Sequence, residues 1–308
     1  MTTASAPGKI ILVGEHAVVY GRPAIAVPIS KVKATATVEK TRRGTGCVIV
    51  AMDLNRTIRV PQAASDDPLA AIVRSTLACF GAQDLDATIT VSSTVPVASG
   101  MGSSAAVSAA IARALAGHLG HTLHNDILAT LVFEVEKLYH GTPSGVDNTV
   151  IAHARPVFFV KNRLVETFTV KSPLRLLIAD TGIPSSTKVV VEDVRKAREA
   201  NREKYDAWFR QIGQIALMAR AAIVAGEHFA LGALMDGNQW ILEQIGVSSP
   251  EIDRLVQAAR QAGALGAKLS GAGRGGNVLA LTTESTQNTV LNAMRNAGAQ
   301  NVITATIM

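Results

Sequence analysis

The 308-residue sequence carries 30 Lys and Arg against 24 Asp and Glu, a formal net charge of +6, and is 48% hydrophobic but only 4% aromatic. A chain this apolar buries a substantial core, which excludes the disordered class and leaves room for one large domain or two medium ones. The positive balance suits small anionic substrates, whereas scattered Lys and Arg with few stacking aromatics argue against a nucleic-acid surface, and no apolar run reaches membrane-spanning length.

The first segment opens with Pro7-Gly8-Lys9, runs through Ile10-Ile11-Leu12-Val13 and breaks at Gly14. Four apolar residues between glycines predict a short buried strand, with Glu15 and His16 emerging at its end. The amino terminus lacks the basic flank and long apolar core of a signal peptide, so a cytoplasmic location is expected. Further strands are predicted at 24–29, 34–39, 48–52 and 57–60. A helix over 68–80 has Pro68 at its start and Gly81 just past its end. Cys47 and Cys79 show no metal-ligand spacing, which predicts reduced, packed thiols. Alternation over 87–93 predicts a strand, and the Ala-rich run 105–119 predicts a helix.

His124 or Asn125 is placed to cap a helix running to His140, with Leu128, Leu131, Val135 and Leu138 as its apolar stripe and Gly141 as its stop. Glu136 lies off that stripe and so faces either solvent or a neighbouring site. Residues 142–148 read as a loop and 157–160 as a strand that closes the first half, with a domain boundary near 162. The second half reads as a strand at 175–180, a turn at 182–186, and helices at 187–199, 202–225, 227–244 and 250–262, the last preceded by Ser248-Ser249 as a cap signal. A strand at 277–281, a helix at 285–296 and a strand at 302–307 complete the chain. No internal repeat or low-complexity segment is present.

Two glycine-rich stretches carry the chemistry. Pro96-Val97-Ala98-Ser99-Gly100-Met101-Gly102-Ser103-Ser104-Ala105-Ala106 leaves a predicted strand and enters a predicted helix. Gly100 and Gly102 allow close approach, and the unpaired N–H groups and positive end of the helix form a cradle for a polyphosphate. Read alone, the stretch leaves a second reading open, in which Ser103 or Ser104 merely caps the helix and the glycines merely turn the chain. Lys268-Leu269-Ser270-Gly271-Ala272-Gly273-Arg274-Gly275-Gly276 lies between a predicted helix and a predicted strand and contains the spacing G-x-G-x-x-G. That fingerprint binds a dinucleotide only when it leaves a strand and enters a helix, and here it enters a strand, so the dinucleotide reading is rejected. It is either a glycine turn or a second backbone wall against a phosphate or substrate. No G-x-x-x-x-G-K-[ST] and no H-R-D string occurs.

The three motifs in order, Pro7-Gly8-Lys9 through Gly14-Glu15-His16, Pro96 through Ala106, and Lys268 through Gly276, resemble those of the GHMP kinase superfamily, with similar spacing over nearly the whole chain. Within it, Gly14-Glu15-His16-Ala17-Val18-Val19-Tyr20-Gly21 and His140-Gly141-Thr142-Pro143-Ser144-Gly145-Val146-Asp147-Asn148 look like the mevalonate kinase family. Galactokinases share a similar Gly-Glu-His element, so the second string carries more weight.

The resemblance implies a two-domain α+β fold with ATP and substrate in the interdomain cleft: an amino-terminal domain, 1–162, with the phosphate-binding loop, and a ferredoxin-like α+β domain, 163–308. It also implies ATP-dependent phosphorylation of the primary hydroxyl of mevalonate to 5-phosphomevalonate, an isoprenoid-precursor step, with ATP as co-substrate and Mg²⁺ as cofactor. Partners would be small molecules, with no nucleic acid and no membrane, and a homodimer is an allowed assembly. Phosphoryl transfer needs placement and charge neutralisation more than covalent help. By the same resemblance Asp147 accepts the hydroxyl proton and Lys9 stabilises the transferring charge, while Gly100, Gly102, Ser103, Ser104 and Ala105 hold the ATP phosphates. Ser104 and Glu136 would ligate the metal, and Glu15, His16, Ser144, Thr187, Gly271 and Ala272 would bind the substrate. Without the resemblance, Asp147 is a loop aspartate bonded to its own backbone, Lys9 a surface charge and His16 a packed strand-end histidine.

Arg274 and Asn277 stand where mevalonate kinases often have Gly and Cys, and Met101 stands where Leu is common. Met for Leu is close to volume-neutral. Arg274 adds a charge that contacts a phosphate, an acidic substrate or water, which keeps open an already phosphorylated substrate, as in phosphomevalonate kinase or the related decarboxylases; a homoserine or sugar kinase of the same superfamily is a separate rival. A non-catalytic ligand sensor with this fold is a further alternative, against which the intact Lys9, Ser104, Glu136 and Asp147 speak.

Overall fold

A computed structural model describes residues 1–96, 99–141 and 143–308; Val97 and Ala98 of the phosphate-loop string and Thr142 of the second string lie outside the described residues. The chain begins with β1 (Thr2–Val13), β2 (Ala24–Lys40), β3 (Cys47–Ala51), β4 (Arg56–Arg59), α1 (Pro68–Cys79) and β5 (Ala87–Ser93). Then come α2 (Ser103–His118), α3 (Asn125–His140), α4 (Val146–His153), β6 (Val157–Phe159), β7 (Glu166–Thr167) and β8 (Leu174–Asp180). It ends with α5 (Thr187–Ala200), α6 (Arg202–Ala225), α7 (His228–Ile245), α8 (Pro250–Gln261), β9 (Gly266–Ser270), β10 (Asn277–Thr282), α9 (Gln287–Asn296) and β11 (Asn301–Ile307). None of the described helices is long and apolar enough to cross a membrane.

The elements form two compact units. The first comprises residues 1–9, 32–96 and 102–154; the second comprises 10–31, a short piece ending at Met101, and 155–308. In the first unit, residues 34–40 of β2 pair antiparallel with β5, β5 runs parallel to β3, and β3 pairs antiparallel with β4. The helix α2 is buried on nearly every side, with Ala105, Ala106, Ala109, Ala110, Ile111, Ala112, Ala114 and Leu115 all removed from solvent. Its alanines serve two purposes here: they favour the helix, and their small side chains let α1, α3, α4 and β5 pack around it.

In the second unit, residues 24–26 of β2 pair with β6, and β6 pairs with β7. The main sheet of this unit is antiparallel in the order β11-β8-β10-β9, the split order of a βαββαβ unit. Every residue of β9 and β10 is buried. Helices cover β9 from α7 and α8, and α9 lies on β8 and β11.

Several elements differ from the sequence expectation. The strands expected at 24–29 and 34–39 are one strand of 17 residues, because exposed Ser30 and Lys31 mark a change of surroundings along β2 rather than a turn. The first strand begins at Thr2, well before Ile10, since its first residues alternate between half-buried and exposed positions. The loop expected over 142–148 gives way to α4 at Val146, directly after Gly145 in the left-handed region at φ 90°. The glycine-rich third motif follows a strand, not a helix, because Lys268, Leu269 and Ser270 belong to β9, yet it still enters a strand and the rejection of a dinucleotide site stands. Cys47 is buried, but Cys79 is exposed, so only the first is a packed thiol.

Candidate active site

In the first unit, three elements meet at Lys9. The residue lies in β1, is 3% exposed, and its Nζ is 2.8 Å from Asp147 Oδ1. Asp147 occupies the first turn of α4, where the positive end of the helix favours a carboxylate. Beside it, the Ser144 hydroxyl accepts a hydrogen bond from the Val146 amide at 3.3 Å. The start of α2 closes in on the lysine stem: a Cβ on Gly102 would stand 3.1 Å from Lys9 Cγ and 2.8 Å from Ile151 Cδ1. Gly102 is therefore required both by its φ of 72° and by the space Lys9 occupies.

Gly102 also holds the N-cap position of α2, and no side chain caps the helix there. The capping role expected for Ser103 or Ser104 is thus not taken, and the Ser103 hydroxyl instead donates to the Val95 carbonyl at 3.4 Å. The first-turn amides of Ser103, Ser104 and Ala105 precede the first intrahelical bond, Ala106 N–H to Gly102 O at 2.9 Å, and have no partner within the helix. That end of α2 fits an anion.

Glu136 was expected off the apolar stripe of α3, yet it is 3% exposed and shares the buried face with Leu128, Ala129, Val132 and Val135, while Leu138 is the exposed residue. Val132 and Glu136 are one turn apart, so the burial of the first carries the second inward. Burial raises the Glu136 carboxyl to about 7, with Asp147 adding to the rise and the Ser104 hydroxyl and Lys9 opposing it. Its Oε2 lies 3.5 Å from His140 Nε2, and its buried Oε1 has no hydrogen-bond partner among the described residues.

In the second unit, Glu15 and His16 follow Gly14, whose φ of 108° and contact with Ala24 turn the chain sharply at the end of β1. Glu15 forms a buried ion pair with Lys268 of β9, the two side chains being 1% and 0% exposed. His16 Nε2 donates to the Ala272 carbonyl at 2.9 Å, which leaves Nδ1 as the acceptor of a neutral ring. Burial holds the His16 ring at about 4, the Ala272 bond opposing the drop and the charges of Arg274 and Lys268 adding to it. Glu15, His16, Gly271 and Ala272 are thus brought together. Thr187 is the exposed first residue of α5, and the Ser185 hydroxyl two residues before it donates to the Gly273 carbonyl.

Arg274 of the third motif and Asn277 directly after it do structural work that the sequence reading left open. Arg274 pairs with Asp193 of α5 at 2.6 Å, both side chains 42% exposed, and its Nε donates to the Gly246 carbonyl at 3.3 Å. Asn277 is buried and donates to the Ser99 carbonyl, tying the phosphate-loop segment to β10. Nothing in the sequence marks Lys268 for a role, since a lysine beside glycines carries no sign of being buried.

Residues 69–154 match the family model described as "GHMP kinases N terminal domain", and residues 219–300 match "GHMP kinases C terminal". The mevalonate kinase of Aeropyrum pernix is 38% identical over 290 residues, covering 91% of this chain and 88% of that protein. That of Thermococcus sibiricus is 35% identical over 321 residues, covering 98% and 95%. The crystal structure of L. major mevalonate kinase in complex with R-mevalonate superposes with a TM-score of 0.83 at 28% identity, covering 100% of this chain and 96% of that one.

Proposed function

Because the chain belongs to the GHMP kinases and, within them, to the mevalonate kinase family, we propose that it transfers the γ-phosphoryl group of ATP to the primary hydroxyl of mevalonate. The observation that carries this reading is the Lys9–Asp147 pair at 2.8 Å, a carboxylate and an ammonium held together beside the open end of α2.

The proposed chemistry assigns one task to each group. The first-turn amides of α2, at Ser103, Ser104 and Ala105, bind phosphate oxygens with the help of the helix dipole, and Gly100 and Gly102 let the backbone approach. As the hydroxyl oxygen forms its bond to the γ-phosphorus, the bond from that phosphorus to the bridging oxygen breaks and ADP leaves. The hydroxyl proton passes to Asp147, and Lys9 neutralises charge on the transferring group. Glu15, His16, Ser144, Thr187, Gly271 and Ala272 are proposed as the residues that bind mevalonate.

Glu136 and Ser104 fit a divalent cation. A buried carboxylate oxygen without a hydrogen-bond partner among the described residues, beside a hydroxyl, offers hard oxygen donors, and Mg²⁺ takes few protein ligands, leaving the rest to water and phosphate. When bound, Mg²⁺ neutralises phosphate charge.

A coupled ADP-release assay with mevalonate, phosphomevalonate, homoserine and galactose tests the reading, with Asp147→Asn as control. Turnover of mevalonate alone is expected, lost by about two orders of magnitude or more in the control with ATP affinity nearly unchanged. Turnover of phosphomevalonate instead, or equal loss of turnover and ATP binding in the control, would reject the substrate or the role of Asp147 respectively.

A further inference from the structure

Lys268 is fully buried in the edge strand β9, and the proposed phosphoryl transfer makes no use of it. Its Nζ donates to the Glu15 carboxylate and to the Leu269 carbonyl. Taking an ammonium and a carboxylate out of water is costly for each ion, and a well-packed apolar pair in their place is often as stable or more so. Stability alone therefore gives little reason for a buried pair here, and placement of Glu15 is the better account.

A second observation concerns the next residue. His16 has φ 60° and ψ −48°, a backbone conformation that non-glycine residues rarely adopt and that persists only where the surroundings hold it. Its ring is fixed by the Ala272 carbonyl. Lys268 lies in β9 and Ala272 in the turn that follows it, so one short segment grips two consecutive residues, Glu15 through a charge and His16 through a carbonyl.

We propose that Lys268 is a positioning residue for the Glu15–His16 pair: it fixes the Glu15 carboxylate and thereby holds His16 in its strained conformation, ready for the polar groups of an anionic hydroxy acid. Neutralising Glu15 has a further consequence, because an unpaired carboxylate at this place would repel a substrate carboxylate. The inference rests on the reading of Glu15 and His16 as substrate-binding residues.

The test compares Lys268→Met, Lys268→Arg and the double variant Glu15→Gln/Lys268→Met in the full chain, by steady-state kinetics, thermal unfolding and the ¹⁵N resonances of the His16 ring. Lys268→Met is expected to raise KM for mevalonate about tenfold or more, with KM for ATP within about threefold of wild type, and Lys268→Arg to recover part of the loss. The double variant leaves no lone buried charge, so it regains the melting temperature lost in Lys268→Met but keeps the raised KM and a changed His16 Nε2–H signal. A double variant with wild-type KM and an unchanged His16 signal overturns the proposal, even if Lys268→Met fails to fold. Should the wild-type protein not turn over mevalonate, the functional reading fails, and the His16 signal of the double variant decides positioning by itself.

Discussion

Burial raises the Glu136 carboxyl from its ordinary 4.5 to about 7, so the free protein holds a proton there that the unfolded chain gives up. Between those values the native state binds the extra proton. This contribution to stability is complete below pH 4.5 and is lost as pH rises through about 7, amounting to roughly 3 kcal/mol. His16 acts with the opposite sign: its ring, held at about 4 against an ordinary 6.5, adds stability that is present above pH 6.5 and lost as pH falls through about 4. Glu136→Gln should therefore stabilise the ligand-free protein at pH 8, abolish its loss of melting temperature between pH 5 and pH 8, and raise the Mg²⁺ requirement of ATP turnover. Wild-type metal dependence should sharpen with rising pH as the carboxylate forms. A variant with unchanged metal requirement and an unchanged pH–stability curve would remove Glu136 from the site. Sequence alone left solvent and a neighbouring site both open for Glu136, because reading Leu138 into the stripe of α3 rotated the face by enough to put Glu136 outside it.

At the level of elements, the site depends on how closely the first turn of α2 approaches β1. Gly100 and Gly102 have nearly the same φ, 76° and 72°, but a Cβ on Gly100 would meet nothing among the described residues whereas one on Gly102 would strike Ile151 and the Lys9 stem. Gly100→Ala should cost the free protein only the left-handed backbone penalty, about 1–2 kcal/mol. Gly102→Ala should cost more and should also displace Lys9, lowering kcat well beyond the Gly100→Ala value; equal kcat in the two variants would show that Lys9 does not rely on this contact. The strand–glycine–helix order that builds the contact was legible, since alternation over β5, the glycines and the alanine run each signal their element locally. So were α1, with Asp67 accepting from the Ala70 amide at 2.9 Å at its start, and α8, where Ser249 accepts from Ile252 at 3.4 Å. α4 was not legible, because Pro143, Ser144 and Gly145 are turn residues that run right up to its first residue. β9 was missed for a related reason: Gly266-Ala267-Lys268-Leu269-Ser270 lacks both alternation and β-branched residues, and it is a strand only because β10 pairs with it residue by residue.

At the scale of the whole molecule, the second unit draws residues 10–31 from far upstream, and they do more than fill space. The Ser270 hydroxyl accepts from the Ile11 amide at 3.2 Å and donates to the Ile11 carbonyl at 2.9 Å. The Gly14 amide donates to Asn238 Oδ1 at 3.2 Å, and Glu15 neutralises Lys268. These partners are separated by more than two hundred residues of sequence, which is why no local signal announced them. A fragment of residues 163–308 would keep the four strands β8 to β11 but lose every one of these bonds, and it would bury an ammonium without its carboxylate or expose it by opening β9. Breaking a buried pair from one side costs about 3–5 kcal/mol, a large part of the 5–15 kcal/mol typical of a folded domain. The fragment should accordingly show helical far-ultraviolet circular dichroism, weak near-ultraviolet signal and fast amide exchange in β9, with slower exchange surviving in β8 and β10. Adding Lys268→Met to the fragment should recover part of its cooperativity, because the orphaned charge is gone. A fragment that unfolds in one sharp transition at the full-length midpoint would show instead that the upstream segment rests on a sheet already complete without it.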